Sequence, residues 1–297
     1  MKADRRGSSL QTVSGRWIAG AVAVVIAAAG LCMWGALCLI FWLGSWQLLY
    51  HPTATVVGTP ANAGMNFDTV DFATTESGQP QLHGWWIPGG PESRITAIYL
   101  HGAKGNIGDA VRDLRLLHDA KMNVLGFDYR GYGASRFERP SEAHWRQDAE
   151  AAMQYLTQTR HISAREIVLV GSGLGANLAL ETGAAHPELA GVVLDGPSPS
   201  PEDLVFNDPR ARLVPARWLV ADRWELARSS GELRIPSLWF VQNADHTANA
   251  GAVMSAYNKV SARKLRVWVN DTTDRSTIYR EAIERWLDEL APTDAPR

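Results

Sequence analysis

The segment GSGLG, residues 171–175, stands between a β-rich run, EIVLV, and a helix-forming run, LGANLALE. A strand that turns sharply through two glycines into a helix is the setting of a nucleophile elbow, G-x-S-x-G, whose central serine attacks an acyl carbon. Here Gly171 and Gly175 fill the outer positions. The central position is Gly173, and the serine stands one place early, at Ser172. The apex of an elbow needs unusual backbone angles, and glycine tolerates them at least cost. The pattern therefore keeps the turn and vacates the nucleophile position. A shifted register with Ser172 as nucleophile would place Val170 and Leu174 where strand and helix need small residues, so its ordinary reading is a polar turn residue.

An elbow nucleophile needs an acid after a later strand and then a histidine. The run PSLWFVQNADH supplies Asp245 at the acid position, where a helix cap is the alternative role. After the last β-rich run, KLRVWV, comes NDTTDRSTIY, which holds no histidine. His246 is the last histidine in the chain. It abuts Asp245, so it cannot easily stand between acid and nucleophile. Without a base a hydroxyl stays protonated and weak. The stabilising half of the machinery is more complete. YLHGAKGN has the form of an oxyanion loop, and the backbone N–H groups of Ala103 and Leu174 are the candidate donors to an anionic oxygen. The alternative is that His101 and Gly102 only shape the turn.

The same glycines admit a rival reading. Gly171, Gly173 and Ala176 spell G-x-G-x-x-A, and Asp195 ends the next strand, which together match a dinucleotide fingerprint. Its placement argues against it, because such a unit usually opens its domain and here a hairpin and two βα units precede it.

The elements that must hold these residues follow from periodicity. NFDTVDFAT and QLHGWWIP, separated by the turn-rich TESGQP, predict an antiparallel hairpin. Then short apolar β runs (ITAIYLHG, MNVLGFDY, EIVLVG, GVVLDG, PSLWFVQ, KLRVWV) alternate with helical segments at about 107–120, 141–160, 174–185 and the closing AIERWLDEL. That alternation predicts an α/β fold with parallel strands and right-handed crossovers, and functional residues at the strands' carboxyl ends. Residues 196–235 hold only short helical stretches, so any cap over the site is small.

LLYHP, GWWIP, YLHGAKGN, FDYRGYGAS, PSEAHWRQDAEAAMQYL and VLVGSGLGANLAL together resemble the α/β-hydrolase-domain (ABHD) family, in the branch with a single N-terminal membrane helix. The likeness runs from about residue 47 to 290. It implies an α/β-hydrolase fold, a mostly parallel eight-stranded sheet with helices on both faces preceded by one transmembrane helix. It also implies a serine-hydrolase ancestry acting on esters, lipids or peptides. The family's nucleophile falls on Gly173, its acid on Asp245 and its histidine near Thr273 or Asp274. Two of these three depart from the pattern, so the family's activity does not carry over with the fold.

From Trp17 to Tyr50 no residue is charged, and the apolar core of 26 residues exceeds the ~20 that span a bilayer. Trp17, Trp42 and Trp46 stand at its ends, as interfacial indoles do. A cleaved signal peptide would have a shorter core, about 7–15 residues, with small residues after it. The expected division is a basic leader 1–16, an anchor 17–46, a linker 47–64, a hydrolase domain 65–291 and a tail 292–297. Lys2, Arg5, Arg6 and Arg16 against Asp4 put the leader on the cytoplasmic side and the domain across the membrane. Net charge is −2, and no basic stripe with interleaved aromatics points to nucleic acid. The two cysteines, Cys32 and Cys38, lie in the anchor, so the domain has no thiol for a disulfide or a metal. No cofactor or metal is expected. The expected partners are the membrane, through residues 17–46, and a small-molecule or lipid ligand.

Overall fold

The computed structural model describes residues 14–74, 78–242, 248–269 and 275–290. The expected hairpin is β1 (Asp68–Ala73) and β2 (Pro80–Ile87), paired antiparallel. The apolar runs become β3 (Thr96–Leu100), β4 (Asn123–Asp128), β5 (Ile167–Ser172), β6 (Gly191–Asp195), β7 (Ser237–Gln242) and β8 (Lys264–Val269). They join the hairpin in one sheet ordered β8-β7-β6-β5-β3-β4-β2-β1. Only β2 runs opposite to the other seven strands.

Central parallel strands are covered on both faces, which is why they read as continuous apolar runs. Along β5, Ile167 and Leu169 enter one core, and Val168 and Val170 the other. The first core is roofed by α3 (Glu142–Gln154), α4 (Leu174–Ala185), α7 (Leu226–Glu232) and α8 (Ala248–Lys259). The second is roofed by α2 (Val111–Asp119) and α9 (Arg275–Leu290). Between β6 and α7 lie α5 (Asp203–Phe206) and α6 (Ala216–Leu219), a small cap as expected.

Helix α1 (Gly15–Gly44) precedes the domain and is apolar enough to cross a membrane. It is exposed from Gly15 to Ala36, while Leu37, Cys38 and Phe41 pack into the domain's first core.

Residues 51–64 differ from the expectation of a linker. His51–Pro52 pair in parallel with Lys104–Gly105 of the oxyanion loop. Asn106, 2% exposed, donates through Nδ2 to Thr53 Oγ1 and Thr55 O, both at 2.8 Å, while its Oδ1 accepts from Gly108 N–H. The Pro, Thr and Gly content that reads as a linker describes a strap here, because its hydrogen-bond partners lie some fifty residues away in sequence. Removing a buried partner costs about 1–3 kcal/mol. Asn106→Ala is therefore expected to lower the unfolding free energy by that amount. Limited proteolysis should show earlier cleavage within 53–60; an unchanged cleavage pattern would contradict the strap.

Candidate functional site

The elbow is present in the backbone. Gly173 caps α4 at φ 56° and ψ −120°, a conformation that strains any residue with a Cβ. Its N–H donates to Asp195 O at 2.8 Å, which ties the apex to the end of β6. A Cβ on Gly171 would lie 2.2 Å from Gly175 O. One on Gly175 would lie 2.1 Å from Leu100 O and 2.4 Å from His101 O. The outer glycines are thus demanded by backbone contact. At Gly173 a Cβ would meet nothing within 4 Å. The nucleophile position is open and holds no side chain.

Ser172 lies elsewhere. It shares the facing of Val168 and Val170, toward α2 and α9. There it lines a cavity of about 20 Å³ with Tyr99, Asp113, Asp195 and Tyr279. Tyr99 donates to Asp113 Oδ2 at 2.7 Å, and Tyr279 donates to Asp195 Oδ1. Burial, reinforced by Asp113, holds the Tyr99 hydroxyl well above its ordinary pKa, so it stays a donor. Ser172 and Asp195 are register partners on adjacent strands. The cavity has room for about one water. It has none for a ribose, and Asp195 already accepts from Tyr279, so the dinucleotide reading finds no support.

The candidate oxyanion loop is held by aromatic side chains. His101, 3% exposed, has ring centroids of Tyr129, Tyr132 and Trp145 at 4.4, 5.1 and 6.2 Å. Its Nδ1 lies 2.8 Å from Gly102 O, and its Nε2 lies 3.4 Å from Asp128 Oδ1. Both nitrogens face the loop's own frame, so the ring serves the turn and is not a base for the apex. Tyr129 donates to His101 O at 3.1 Å and Tyr132 to Ala103 O at 2.9 Å. Burial raises both hydroxyls well above the ordinary tyrosine range, keeping them protonated. The carbonyls of 101 and 103 are therefore occupied. The Ala103 N–H is engaged by no described residue, and Leu174, first in α4, has no intrahelical acceptor for its N–H.

Asp245, His246, Thr273 and Asp274 lie outside the described residues. Among the described residues no group of three or more His, Cys, Asp or Glu could hold a metal. Sequence reasoning missed the Tyr99–Asp113 and Tyr279–Asp195 pairs around Ser172. The second pair is 84 residues apart, and only the alternation of β5 hinted at the side to which Ser172 points.

Strand order, crossover helices and a glycine elbow after β5 define an α/β-hydrolase fold. Residues 91–250, more than half of the chain, match the family described as serine aminopeptidase, S33, and the chain belongs to that family as an α/β-hydrolase-domain protein. The YfhR protein of Salmonella typhi is 30% identical over 263 residues, 80% of this chain and 86% of its own. WAV2 of Arabidopsis thaliana, an α/β-hydrolase domain-containing protein, is 25% identical over 69% of this chain and 70% of its own. Among solved structures, the Pyrococcus furiosus esterase Pf2001 superposes with a TM-score of 0.64 at 20% identity, over 82% of this chain and 98% of that one. That likeness is one of fold.

The glycines separate experimentally. Gly173→Ala meets only backbone strain, about 1–3 kcal/mol. Gly175→Ala must push apart β3 and α4, and a loss above about 4 kcal/mol is expected. Thermal unfolding of the two variants should differ in that order; equal losses would mean that the elbow is not packed as described.

Proposed function

We propose that this chain is a membrane-anchored α/β-hydrolase-fold protein that no longer hydrolyses and acts by binding. The single observation that carries the reading is Gly173: an elbow apex in the strained conformation a nucleophile needs, with no side chain on it. The N–H groups of Ala103 and Leu174, which no described residue engages, would then hold a carbonyl or anionic oxygen of a small molecule or lipid, with no attack following. Residues 17–46 serve as anchor. The basic leader favours a cytoplasmic N-terminus and a domain across the membrane.

A second reading keeps an ester, lipid or peptide hydrolase with a non-standard nucleophile. The register pairing of Ser172 with Asp195 is the observation in its favour. Against it, Ser172 faces the cavity of about 20 Å³, which admits no acyl group.

A serine-reactive fluorophosphonate decides between them. The intact protein in detergent is expected not to label. Labelling abolished by Ser172→Ala would establish the second reading. Gly173→Ser alone is expected to stay inactive toward nitrophenyl esters, since it adds a hydroxyl without a base. Adding Thr273→His or Asp274→His should raise turnover by far more than the product of the separate effects, because triad members act as a unit. Robust turnover by Gly173→Ser alone would reveal a base already in place.

Orientation has its own test. A C-terminal alkaline phosphatase fusion, active only outside the cytoplasm, should be active. Activity confined to a cytoplasmic reporter would reverse the assigned topology.

A further inference from the structure

The cap leaves large apolar side chains in the open. Trp218 is 90% exposed, Leu204 62% and Leu213 60%. Isolated exposed leucines are ordinary, but an almost fully exposed tryptophan within the same short stretch as two of them points to a contact surface. All three lie in residues 203–218, a stretch that packs on the anchor. Helix α6, which carries Trp218, contacts α1, and α5 contacts the turn at Ser45–Leu48 that follows it.

The depth of that contact is given by one hydrogen bond. Trp34 Nε1 of α1 donates to Leu213 O at 3.1 Å. Trp34 lies eight residues before Trp42, about 12 Å along the helix axis. It falls inside the exposed run Gly15–Ala36, whose 22 residues extend about 33 Å, close to the ~30 Å thickness of a bilayer's hydrocarbon. If that run crosses the membrane, Leu213 sits at or below the edge of the acyl layer, because it touches the helix there.

We propose that residues 203–218 form a membrane-immersed face, with Leu204, Leu213 and Trp218 entering the acyl boundary of the leaflet on the domain's side. The flanking charges fit that placement. Arg212 and Arg217, both exposed, directly precede Leu213 and Trp218, so two of the three apolar groups have a cation beside them, while Leu204 follows the exposed Asp203. Such pairs suit an interface where the ring or branched chain is buried and the guanidinium reaches phosphate. Arg210 is already paired with Asp208 and contributes less. Across the same junction, Arg139 donates to Trp42 O at 2.7 Å, fixing the domain against the helix end. The protein would therefore lie flush on the bilayer rather than hang from a tether, and the carboxyl edge of the sheet would face lipid at close range.

The inference rests on the anchor reading, and the test separates the two. The full chain carrying Cys32→Ala and Cys38→Ala is given single cysteines by Trp218→Cys, Leu213→Cys, Arg165→Cys or Val25→Cys. Each is labelled with NBD and reconstituted in 3:1 phosphatidylcholine–phosphatidylglycerol vesicles. Positions 218, 213 and 165 are exposed, so these changes disturb no core. Labels at 218 and 213 are expected to be quenched at least twofold by lipid spin-labelled near the headgroup and shielded from aqueous iodide. The label at 165 should be quenched by iodide alone, and the label at 25 by deep spin labels. If 218 and 213 behave like 165 while 25 is quenched deeply, the immersed face is wrong and the anchor stands. If 25 is not quenched either, the anchor reading fails first. Disulfide formation between 218 positions in the unlabelled Trp218→Cys protein, together with no lipid quenching of the labelled one, would assign the face to a second copy of the chain and overturn the proposal.

Discussion

The carboxyl edge of this sheet depends on one steric fact: strand β3 and helix α4 meet with no room for a Cβ between them. The ideal Cβ of Gly175 falls 2.1 Å from Leu100 O, so the helix sits directly against the strand that leads into the oxyanion loop. That approach sets where α4 begins. It therefore sets the direction of the Leu174 N–H and the strained angles of Gly173, whose own N–H is fixed by Asp195 O. The elbow is a consequence of close packing of backbone on backbone. It does not require the side chain that an elbow usually presents, which is why it survives with glycine at its apex.

The loop and the segment that follows α1 are also joined through side chains. Tyr129 stacks on Trp145 with centroids 4.0 Å apart and planes 15° apart, and His101 packs on Tyr129. Trp145 also touches Tyr50 and Trp224, each at 5.5 Å. Tyr50 donates to Asp222 Oδ2 at 2.7 Å and accepts from Trp224 Nε1 at 3.2 Å. An aromatic path thus leads from Tyr50, shortly after α1, through α3, to the candidate oxyanion loop. The strap 51–64 adds a backbone pairing along the same route. The segment following α1 and the candidate site form one packed unit, so movement at one would be resisted at the other.

The sheet was legible in the sequence because each central strand is an apolar run buried on both faces, and the hairpin because TESGQP interrupts two extended runs. The elbow was legible because backbone contact leaves only glycine at its outer positions. The strap was not, since nothing local in HPTATVVGTPANAG signals that Asn106 will satisfy Thr53 and Thr55. Nor was the role of His101. A histidine in an H-G loop reads equally as part of an oxyanion loop or as a turn former, and only the aromatic enclosure and the facing of both nitrogens show how it holds the turn. The network around Ser172 was hidden for the same reason: Tyr279 and Asp195 belong to elements brought together by the sheet order, and no spacing announces it.

A vacant elbow need not be a damaged one. In a working hydrolase, donors at the oxyanion position are worth about 3 kcal/mol each, and they act on charge that appears only after attack. On the proposed reading, with no attack at the glycine apex, that charge does not develop, and the same N–H groups would act only on an oxygen already polar in the ground state. Losing the hydroxyl also removes a Cβ from a conformation that costs about 1–3 kcal/mol to hold. Relief of strain and loss of attack therefore arise from the same atoms. The frame around them, outer glycines included, is unchanged in its requirements. On the proposed binding reading such a site is rigid and preformed, and its connection through packed side chains to the end of α1 would place it, if α1 is an anchor, where a lipid-borne oxygen would be met first.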